Sequence, residues 1–424
     1  MRFFPSDLHR QQFDHLQKSR RLTLSGTGNL NAKAYLLSEL VRNLDDKLST
    51  LFWVIEDAKE GDKTCEDFRF WSQVPVHNFT LPEGRQLTDL EKMLRLYTVL
   101  RPERKVVVID PQTFFAAYPS RQDIEKSTLR LRVGDTLDSV AVINQLLEIG
   151  YEFSPDDFLP PGSYCKQGGL LNIYIPTLSS PVKVELDGAQ ISGLYEYDQE
   201  TQQLARKHES IDVVPLKFAR ENAHVLDFLG ARDLVVNDEI DLSPEFAQKM
   251  DEFFHEEPGN EVPYLVSFTA FPEESDQHYF YLYYLSILKF QDVYDFLNDL
   301  QEKWKAKWKV MIFTRHFEEL KALLREEKIP FSSPEDFNDK VFLHIEDAHR
   351  FVHPPQSFQN PQYKVAVLGD REIFDFRQIR RKTSKIQRKI NLEFLRSLKD
   401  GDYVVHVDHG IGKFVGIVQQ LFEG

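Results

Sequence analysis

The sequence predicts a multidomain α/β protein. Over the first ~118 residues, and again after about residue 278, apolar runs of strand length alternate with helical segments, which indicates parallel strands covered on both faces. Between about residues 168 and 198, strands follow one another with only turn signals between them, which indicates a small antiparallel sheet. A chain of 424 residues has room for two to four domains of ~100–200 residues each.

The first α/β part is predicted from helical and strand periodicity. A helix over residues 6–19, capped by Ser6 or Asp7, precedes a strand over 21–25 and a helix over 29–43. A helix between two buried strands is typical of a parallel sheet. Further strands are expected at 51–55, 74–79 and 105–110, with a helix at 90–100.

The closely spaced strands predict a small α+β module inserted in, or following, the α/β part. A strand over 128–135 and a helix over 136–149 lead into the module. Apolar and charged residues then alternate along residues 182–186, as in an antiparallel strand with one exposed face. The Asp187-Gly188 pair is a signal for a hairpin turn.

An α/β pattern returns after the module, weakly at first. Strands over 211–216 and 231–238 and a helix over 243–256 complete the first domain, and residues 256–263 are a plausible boundary. The expected parts are the first α/β domain, the α+β module, the rest of the first domain, a second small α/β domain, a basic linker and a last segment. Their boundaries are 1–119, 120–205, 206–276, 277–376, 377–397 and 398–424.

Composition limits the class of protein. Hydrophobic residues make up 42% of the chain, and no apolar run approaches the ~18–20 residues that span a bilayer. Two distant cysteines, Cys65 and Cys165, cannot build a disulfide framework, which fits a reducing cytoplasm. The net charge of −15 favours protein partners over DNA, although residues 377–389 hold seven Lys or Arg and no acid.

Residues 25–34, SGTGNLNAKA, lie between a strand and a helix, where a phosphate-binding loop would lie. A working loop of the form Gly-x-x-x-x-Gly-Lys-Ser/Thr needs a lysine for the phosphates and a hydroxyl for magnesium. Counted from Gly26, those last three positions read Asn-Ala-Lys. Gly26, Gly28 and Lys33 are therefore expected to form a tight turn that does not hydrolyse nucleotide.

The run VVVIDP resembles the acidic strand end of an ATPase. A catalytic version usually carries a second acid beside the first, and here Pro111 follows Asp110. We interpret Asp110 as the end of a strand at the start of a helix. An ATPase that uses Lys33 and Asp110 stays open as an alternative.

The run HVDHG at residues 406–410 carries candidate metal ligands. In a strand, His406 and Asp408 would face the same side. Zinc needs three or four ligands, and the other histidines are scattered along the chain, so no metal is expected. Asp408, His409 and Gly410 tolerate left-handed backbone geometry, which predicts a β-turn.

The longer run LKDGDYVVHVDHGIGKFVGI, residues 398–417, resembles the start of the RNA-polymerase-interacting domain of bacterial transcription-repair coupling factors, the Mfd family. In that family the domain is a CarD-like, Tudor-like barrel that binds the β subunit of RNA polymerase. The resemblance implies that residues 398–424 are the first strands of such a barrel in a longer protein. The residues implied to shape its first hairpin are Tyr403, His406, His409, Gly410 and Gly412.

Residues 168–203 resemble the domain that the Mfd family shares with the excision-repair protein UvrB, including a Tyr-Asp-x-Glu-Thr-Gln ending at 197–202. In the family this domain docks on UvrA. The resemblance implies a UvrB-like, RecA-like parallel sheet with a degenerate P-loop and an inserted α+β UvrA-docking domain. The implied docking candidates are Lys166, Gln167, Lys183, Glu185 and Asp187.

Three of these candidates depart from the family pattern. Arginine is common in the family at the positions of Gln167 and Lys183, and an aromatic residue at that of Asp187. Lysine keeps the charge of arginine but loses its bidentate fork, and glutamine loses the charge as well. The resemblance therefore implies a UvrA contact with altered chemistry at its contact points.

The implied function is a non-catalytic interaction platform that recruits UvrA to lesion-stalled RNA polymerase in nucleotide excision repair. In the family, ATP, magnesium and DNA are bound by C-terminal motor domains, and the C-terminal end masks the UvrA-docking face. We therefore expect no catalytic residue, cofactor or metal in residues 1–424, and a cytoplasmic location. The alternatives are the ATPase with Lys33 and Asp110, and a DNA-binding module that uses Arg377–Lys389.

Overall fold

The computed structural model describes residue 4, most of residues 8–373, and residues 403–406 and 410–413. Residues 1–373 form one compact unit and residues 374–424 a second. No helix in the described parts is long and apolar enough to cross a membrane. The gaps within 8–373 are 157, 219, 241–247, 251–252, 255–261, 273–275, 335–337, 339, 350 and 352–354.

The first part of the chain alternates helices and strands, as the sequence predicts. Its strands are β1 (Arg21–Thr27), β2 (Thr50–Ile55), β3 (Val76–Asn78) and β4 (Lys105–Ile109). Strands β2 and β4 are buried at every residue, as expected of parallel strands with both faces covered. The helices are α1 (Arg10–Ser19), α2 (Leu30–Leu44), α3 (Gly61–Trp71), α4 (Asp89–Leu100), α5 (Pro111–Phe114) and α6 (Arg121–Ser127).

The α+β module contains helix α7 (Ser139–Glu148) and a six-stranded sheet in the order β11-β10-β9-β8-β7-β6. Neighbouring strands are antiparallel except the parallel pair β6 and β7. The sheet strands are β6 (Glu152–Phe153), β7 (Ser163–Gln167), β8 (Leu170–Ile173), β9 (Val182–Asp187), β10 (Gln190–Tyr197) and β11 (Leu204–His208). A separate antiparallel pair joins β5 (Leu129–Arg132) to β12 (Ser210–Val213).

The remaining strands complete one eleven-stranded sheet in the order β17-β16-β19-β18-β15-β1-β14-β13-β2-β4-β3. These strands are β13 (Leu234–Asp238), β14 (Tyr264–Phe268), β15 (Tyr279–Ser286), β16 (Lys309–Thr314), β17 (Leu343–Asp347), β18 (Phe358–Asn360) and β19 (Val365–Gly369). Helices α8 (Val293–Lys305) and α9 (Phe317–Glu326) flank β16 in the sequence.

The segment after residue 277 shares its sheet with the first domain. Strand β15 pairs in parallel with β1, from Thr23 opposite Tyr279 to Thr27 opposite Tyr284, and then in antiparallel with β18. The sequence predicts a second small α/β domain over 277–376. The continuous sheet brings residues of this segment directly against the end of β1.

The eleven-stranded sheet divides two hydrophobic cores. Along β2, Trp53 belongs to the core beneath α2, whereas Phe52 and Val54 belong to the core on the other side. That second core continues through α4 into the six-stranded module, whose Leu171 and Val184 are part of it. The module is therefore held to the first sheet by shared apolar packing.

Several elements differ from the sequence predictions. The first helix begins at Arg10, and the proposed caps Ser6 and Asp7 lie outside the described residues. The sequence does not predict α3 or β14. Helix α3 buries Thr64 and Cys65 together with Phe68, so it lacks the aliphatic stripe that marks a helix in sequence. Of the expected helix over 243–256, the structure describes residues 248–250 and 253–254, and these are helical.

The second unit contains a described antiparallel hairpin. Strand β20 (Tyr403–His406) pairs with β21 (Gly410–Lys413), with His406 opposite Gly410 and Val404 opposite Gly412. The predicted hairpin is confirmed. The turn residues 407–409, and with them His409, lie outside the described residues, as does the basic segment 377–389.

Candidate functional site

Strand β9 of the six-stranded sheet has one buried face and one more exposed face. Alternate residues of β9 show this, because Val182 and Val184 are buried while Lys183 and Glu185 are half-buried and Asp187 is exposed. The covered face packs on α7, whose Val142 and Leu146 belong to the same core. We call the other side the outer face; it carries Asn172, Lys183, Glu185, Asp187, Tyr195 and Lys207.

Three of the five predicted docking residues lie together on this outer face. Lys183, Glu185 and Asp187 follow one another at every second position of β9, so their side chains leave the same side of the sheet. Gln167 occupies the register position opposite Leu170, which in turn lies opposite Glu185. The register therefore aligns Gln167 with the row that contains Glu185.

The fifth candidate, Lys166, lies on the other side of the sheet. It pairs with Leu171, which pairs with the buried Val184, so all three positions share the covered face. A one-residue step along a strand moves a side chain to the opposite face. The structure therefore separates Lys166 from the other four candidates.

Two aromatic residues that are not among the docking candidates lie beside Lys183. Tyr195 is directly opposite Lys183 across β9 and β10. The Lys183 ammonium lies 5.2 Å from the centre of the Tyr197 ring, within cation–π range. The alternation of β10 could have indicated Tyr195, because it is two residues from Tyr197 and therefore on the same face.

The distinctive Tyr-Asp-x-Glu-Thr-Gln ending shapes the turn between β10 and β11. Asp198 accepts hydrogen bonds from the backbone N–H of Glu200 at 3.0 Å and of Thr201 at 2.7 Å. The Thr201 backbone N–H and hydroxyl lower the pKa of Asp198 by stabilising its charged form. Gln199 bonds both backbone polar groups of Leu159 through its side-chain amide. This motif is structural here and fixes the edge of the sheet.

The phosphate-loop region, residues 25–33, is covered by the chain itself. Gly26 and Gly28 have positive φ angles of 60° and 73°, as a tight strand-to-helix turn requires. A Cβ atom on Gly26 would lie 2.7 Å from Cζ of Tyr281, and one on Gly28 would lie 3.1 Å from Cβ of Tyr284. Strand β15 therefore packs directly on the loop.

Two asparagines tie the start of α2 to the segment before β18. Asn29 caps α2 by accepting from the Ala32 N–H at 3.1 Å, and its amide donates to the Ser357 carbonyl at 2.7 Å. Asn31 donates to the Gln356 carbonyl at 2.7 Å and accepts from the Trp71 indole N–H at 2.7 Å. The helix N-terminus, where a phosphate would bind, is thus closed by protein.

Lys33 is held in an ion pair with the end of β13. Its ammonium lies 2.5 Å from Asp238 Oδ1 and 2.9 Å from Glu239 Oε1, while the Trp53 indole N–H donates to the other Asp238 oxygen at 2.8 Å. Burial alone would lower the pKa of Lys33, but Asp238 and Glu239 outweigh it and raise the pKa above its ordinary value. The charge of Lys33 is therefore neutralised within the protein.

Asp110 is a buried helix cap. Its carboxylate accepts from the Thr113 backbone N–H at 2.9 Å, the Thr113 hydroxyl at 2.9 Å and the Leu81 backbone N–H at 2.7 Å. Pro111 follows at the first position of α5, where its missing N–H costs nothing. The interpretation of Asp110 as a strand end at a helix start is confirmed.

Within the described ranges, no group of three or more His, Cys, Asp or Glu side chains is arranged to hold a metal ion. A buried set in the last part of the sheet, Ser332, His344 and Glu346, is linked by hydrogen bonds of 3.0 and 2.9 Å. Ser332 and His344 are at most 1% exposed, so no substrate reaches them. This set is part of the core.

Comparison with known proteins identifies two family matches. The UvrB interaction domain matches residues 129–218, and the CarD-like/TRCF RID domain matches residues 398–423. The first match includes the whole of β9 and β10, and the second includes β20 and β21.

Relatives named transcription-repair-coupling factor match most of the chain. Those of Staphylococcus epidermidis (strain RP62A) and Staphylococcus haemolyticus are each 20% identical over 98% of this chain and 44% of their own length. That of Bacillus subtilis is 21% identical over 74% of this chain and 34% of its own length. The chain thus spans less than half the length of these curated relatives.

Proposed function

We propose that this chain, a relative of the bacterial transcription-repair-coupling factors, is a non-catalytic platform that recruits UvrA to RNA polymerase stalled at a DNA lesion. The observation that carries the proposal is the outer face of the six-stranded sheet. It lies within the residues that match the UvrB interaction domain, and it leaves Lys183, Glu185 and Asp187 open to a partner.

The chemistry of the outer face suits recognition of another protein. Lysines and carboxylates stand on the same surface, so a partner of complementary charge pattern gains both attraction and orientation. The half-buried ring of Tyr195 beside the charges can supply the buried contact that charges at a rim do not. Recognition by such a surface needs no catalytic residue, in keeping with a non-catalytic platform.

The closed phosphate-loop region supports a platform over an ATPase. A nucleotide would have to displace Tyr281 from Gly26, and Lys33 would have to leave Asp238 before it could meet a phosphate. Asp110 already accepts three hydrogen bonds from protein groups. Nucleotide hydrolysis therefore belongs, in this proposal, to motor domains of a longer protein, which would use ATP, magnesium and DNA.

The hairpin β20–β21 would supply the second partner. It lies within the match to the CarD-like/TRCF RID domain, and we assign it to the beginning of a Tudor-like barrel that contacts the β subunit of RNA polymerase. A C-terminal domain of the longer protein would mask the outer face until UvrA is needed. These partners meet in the cytoplasm, where bacterial transcription and repair take place.

A pair of charge reversals on opposite faces of the sheet tests the proposal. Calorimetric titration of this chain with UvrA from the same organism is expected to give micromolar or tighter binding. Lys183→Glu should weaken that binding by at least about tenfold, because it reverses a charge on the outer face. The control Lys166→Glu, on the covered face, should change it by less than about twofold.

Two results would contradict the proposal. Absence of saturable binding by the unaltered chain would remove the recruitment function altogether. Binding that survives Lys183→Glu but is lost in Lys166→Glu would place the contact on a different surface. Circular dichroism of both variants separates loss of the contact from loss of the fold.

A further inference from the structure

We infer that Tyr195 is the central contact of the outer face, held flat against the sheet by the absence of a side chain at Gly193. This inference rests on the proposed function and adds to it a specificity-determining residue. It also assigns the partner surface a chemistry, namely carboxylates on two sides of a flat apolar spot. None of the five docking candidates that the sequence suggests includes Tyr195.

Tyr195 lies in a row that crosses the sheet, on the strand next to the edge strand β11. In that row Asn172 pairs with Lys183, Lys183 with Tyr195, and Tyr195 with Lys207. Directly paired positions on antiparallel strands have Cβ atoms about 4.5–5.5 Å apart, so Lys183 and Lys207 are both neighbours of Tyr195. A half-buried tyrosine thus stands between two lysines on the outer face.

Gly193 sets the orientation of the Tyr195 ring. A Cβ atom at residue 193 would lie 2.3 Å from Cε2, 2.8 Å from Cζ and 2.8 Å from the hydroxyl oxygen of Tyr195. The ring therefore lies across the bare backbone of Gly193. The phenol end points towards the next row of the sheet, where Gly193 pairs with Glu185.

The period of the strand places Gly193 beneath Tyr195. Residues two apart on a strand face the same side, so Gly193 and Tyr195 share the outer face. The register of β9 and β10 shifts between Ile191 and Gly193, so that Ile191 opposes Leu186 and Gly193 opposes Glu185. This shift sets which residues of β9 lie opposite Gly193 and Tyr195, and bulges commonly re-aim side chains at functional surfaces.

The charges around the ring define the partner. Lys183 and Lys207 flank the ring within its row, and Glu185 lies beyond Gly193 at the side where the phenol ends. A flat aromatic ring offers a large contact area at low entropic cost, and tyrosine is frequent at the centre of interfaces. We therefore expect the matching UvrA surface to place carboxylates opposite the two lysines, around a spot of small apolar residues.

Three substitutions separate the ring, its hydroxyl and its orientation. Tyr195→Ala should weaken UvrA binding about 30-fold, as expected when a central aromatic contact is removed. Tyr195→Phe should stay within about threefold, because the ring and its position remain. Gly193→Ala should weaken binding about tenfold while Tyr195 itself is unchanged, since the added methyl group lifts the ring off the sheet.

Gly193→Ala is the decisive variant. The clash involves the far end of one side chain, and alanine is at least as compatible with a strand as glycine, so the thermal midpoint should stay within about 2 °C of the unaltered chain. If Lys183→Glu abolishes binding while Tyr195→Ala and Gly193→Ala leave it within twofold, the inference is wrong and the proposed function stands. If the unaltered chain does not bind UvrA, the proposed function has failed first.

Discussion

The phosphate-loop region and the outer face of the six-stranded sheet are opposite in one physical respect. Lys33 in the first region is 12% exposed and paired with two carboxylates of the same chain. Lys183 on the outer face carries no such ion pair among the described residues, and its charge meets only an aromatic ring. The charge of Lys33 is neutralised within the fold, whereas that of Lys183 has no carboxylate partner among the described residues.

This difference indicates where function resides. The loop between β1 and α2 keeps the glycines of a phosphate site, but β15 packs on these glycines. The two asparagines at the start of α2 donate to the segment before β18, and Lys33 forms an ion pair with the end of β13. On the outer face, Lys183 and Glu185 are half-buried and Asp187 is exposed. Substitutions in the first region should therefore lower stability, and substitutions in the second should lower binding.

The largest expected effect is a pH dependence of stability at His9, which contacts Tyr284, one of the residues that cover the phosphate loop. His9 donates to or accepts from the Tyr284 hydroxyl at 2.8 Å, and burial lowers its pKa to about 4. Between the ordinary histidine pKa of about 6.5 and this value, only the unfolded chain binds the proton, so stability falls as the pH falls. His9 should cost about 3 kcal/mol of unfolding free energy between pH 7.5 and 4.5.

Urea denaturation at both pH values measures this effect. His9→Gln removes the titrating group, so the variant should lose about 3 kcal/mol less than the unaltered chain over the same pH interval. Equal pH dependence in the chain with and without His9 would contradict the assignment of a buried, neutral histidine.

A smaller effect is expected when the ion pair of the loop is broken. Lys33→Ala leaves the buried Asp238 with only its bond from Trp53, which should cost about 2 kcal/mol of unfolding free energy. UvrA affinity should not change, because Lys33 lies in the phosphate-loop region and not on the outer face. A loss of ATP binding in Lys33→Ala, with stability unchanged, would favour the ATPase alternative.

The smallest expected effect comes from the cap of α2. Asn29→Ala removes both the cap on the Ala32 N–H and the bond to the Ser357 carbonyl, for about 1 kcal/mol. Asn29→Asp retains the capping oxygen and loses only the donor to Ser357. Thermal unfolding of the two variants separates the cost of losing the helix cap from the cost of losing the bond to Ser357. Identical losses of stability in both would assign the whole cost to the bond to Ser357.

The sequence predicts elements well where the signal is local. The uninterrupted apolar run of β2 and the alternation along β9 both appear in the structure with the expected burial. Closure of the phosphate loop could not be predicted in this way, because Tyr281 and Tyr284 are more than 250 residues from the glycines that they cover. Sequence spacing contains no information about that contact.

The docking candidates show the same limit on a smaller scale. Lys166 and Gln167 are adjacent in sequence, and only the pairing of β7 with β8 assigns their positions to opposite faces. Tyr195 stands out only once the register places it between Lys183 and Lys207. A resemblance can therefore identify the sheet, whereas the register identifies the residues that share a surface.

Calorimetric titration of one preparation of this chain, first with ATP and magnesium and then with UvrA, tests the central claim most directly. The closed loop and the open outer face predict no heat of nucleotide binding, followed by saturable binding of UvrA in the micromolar range or tighter. Saturable ATP binding without any UvrA binding would contradict the account, because the phosphate-loop region would then be the functional surface and the outer face would not.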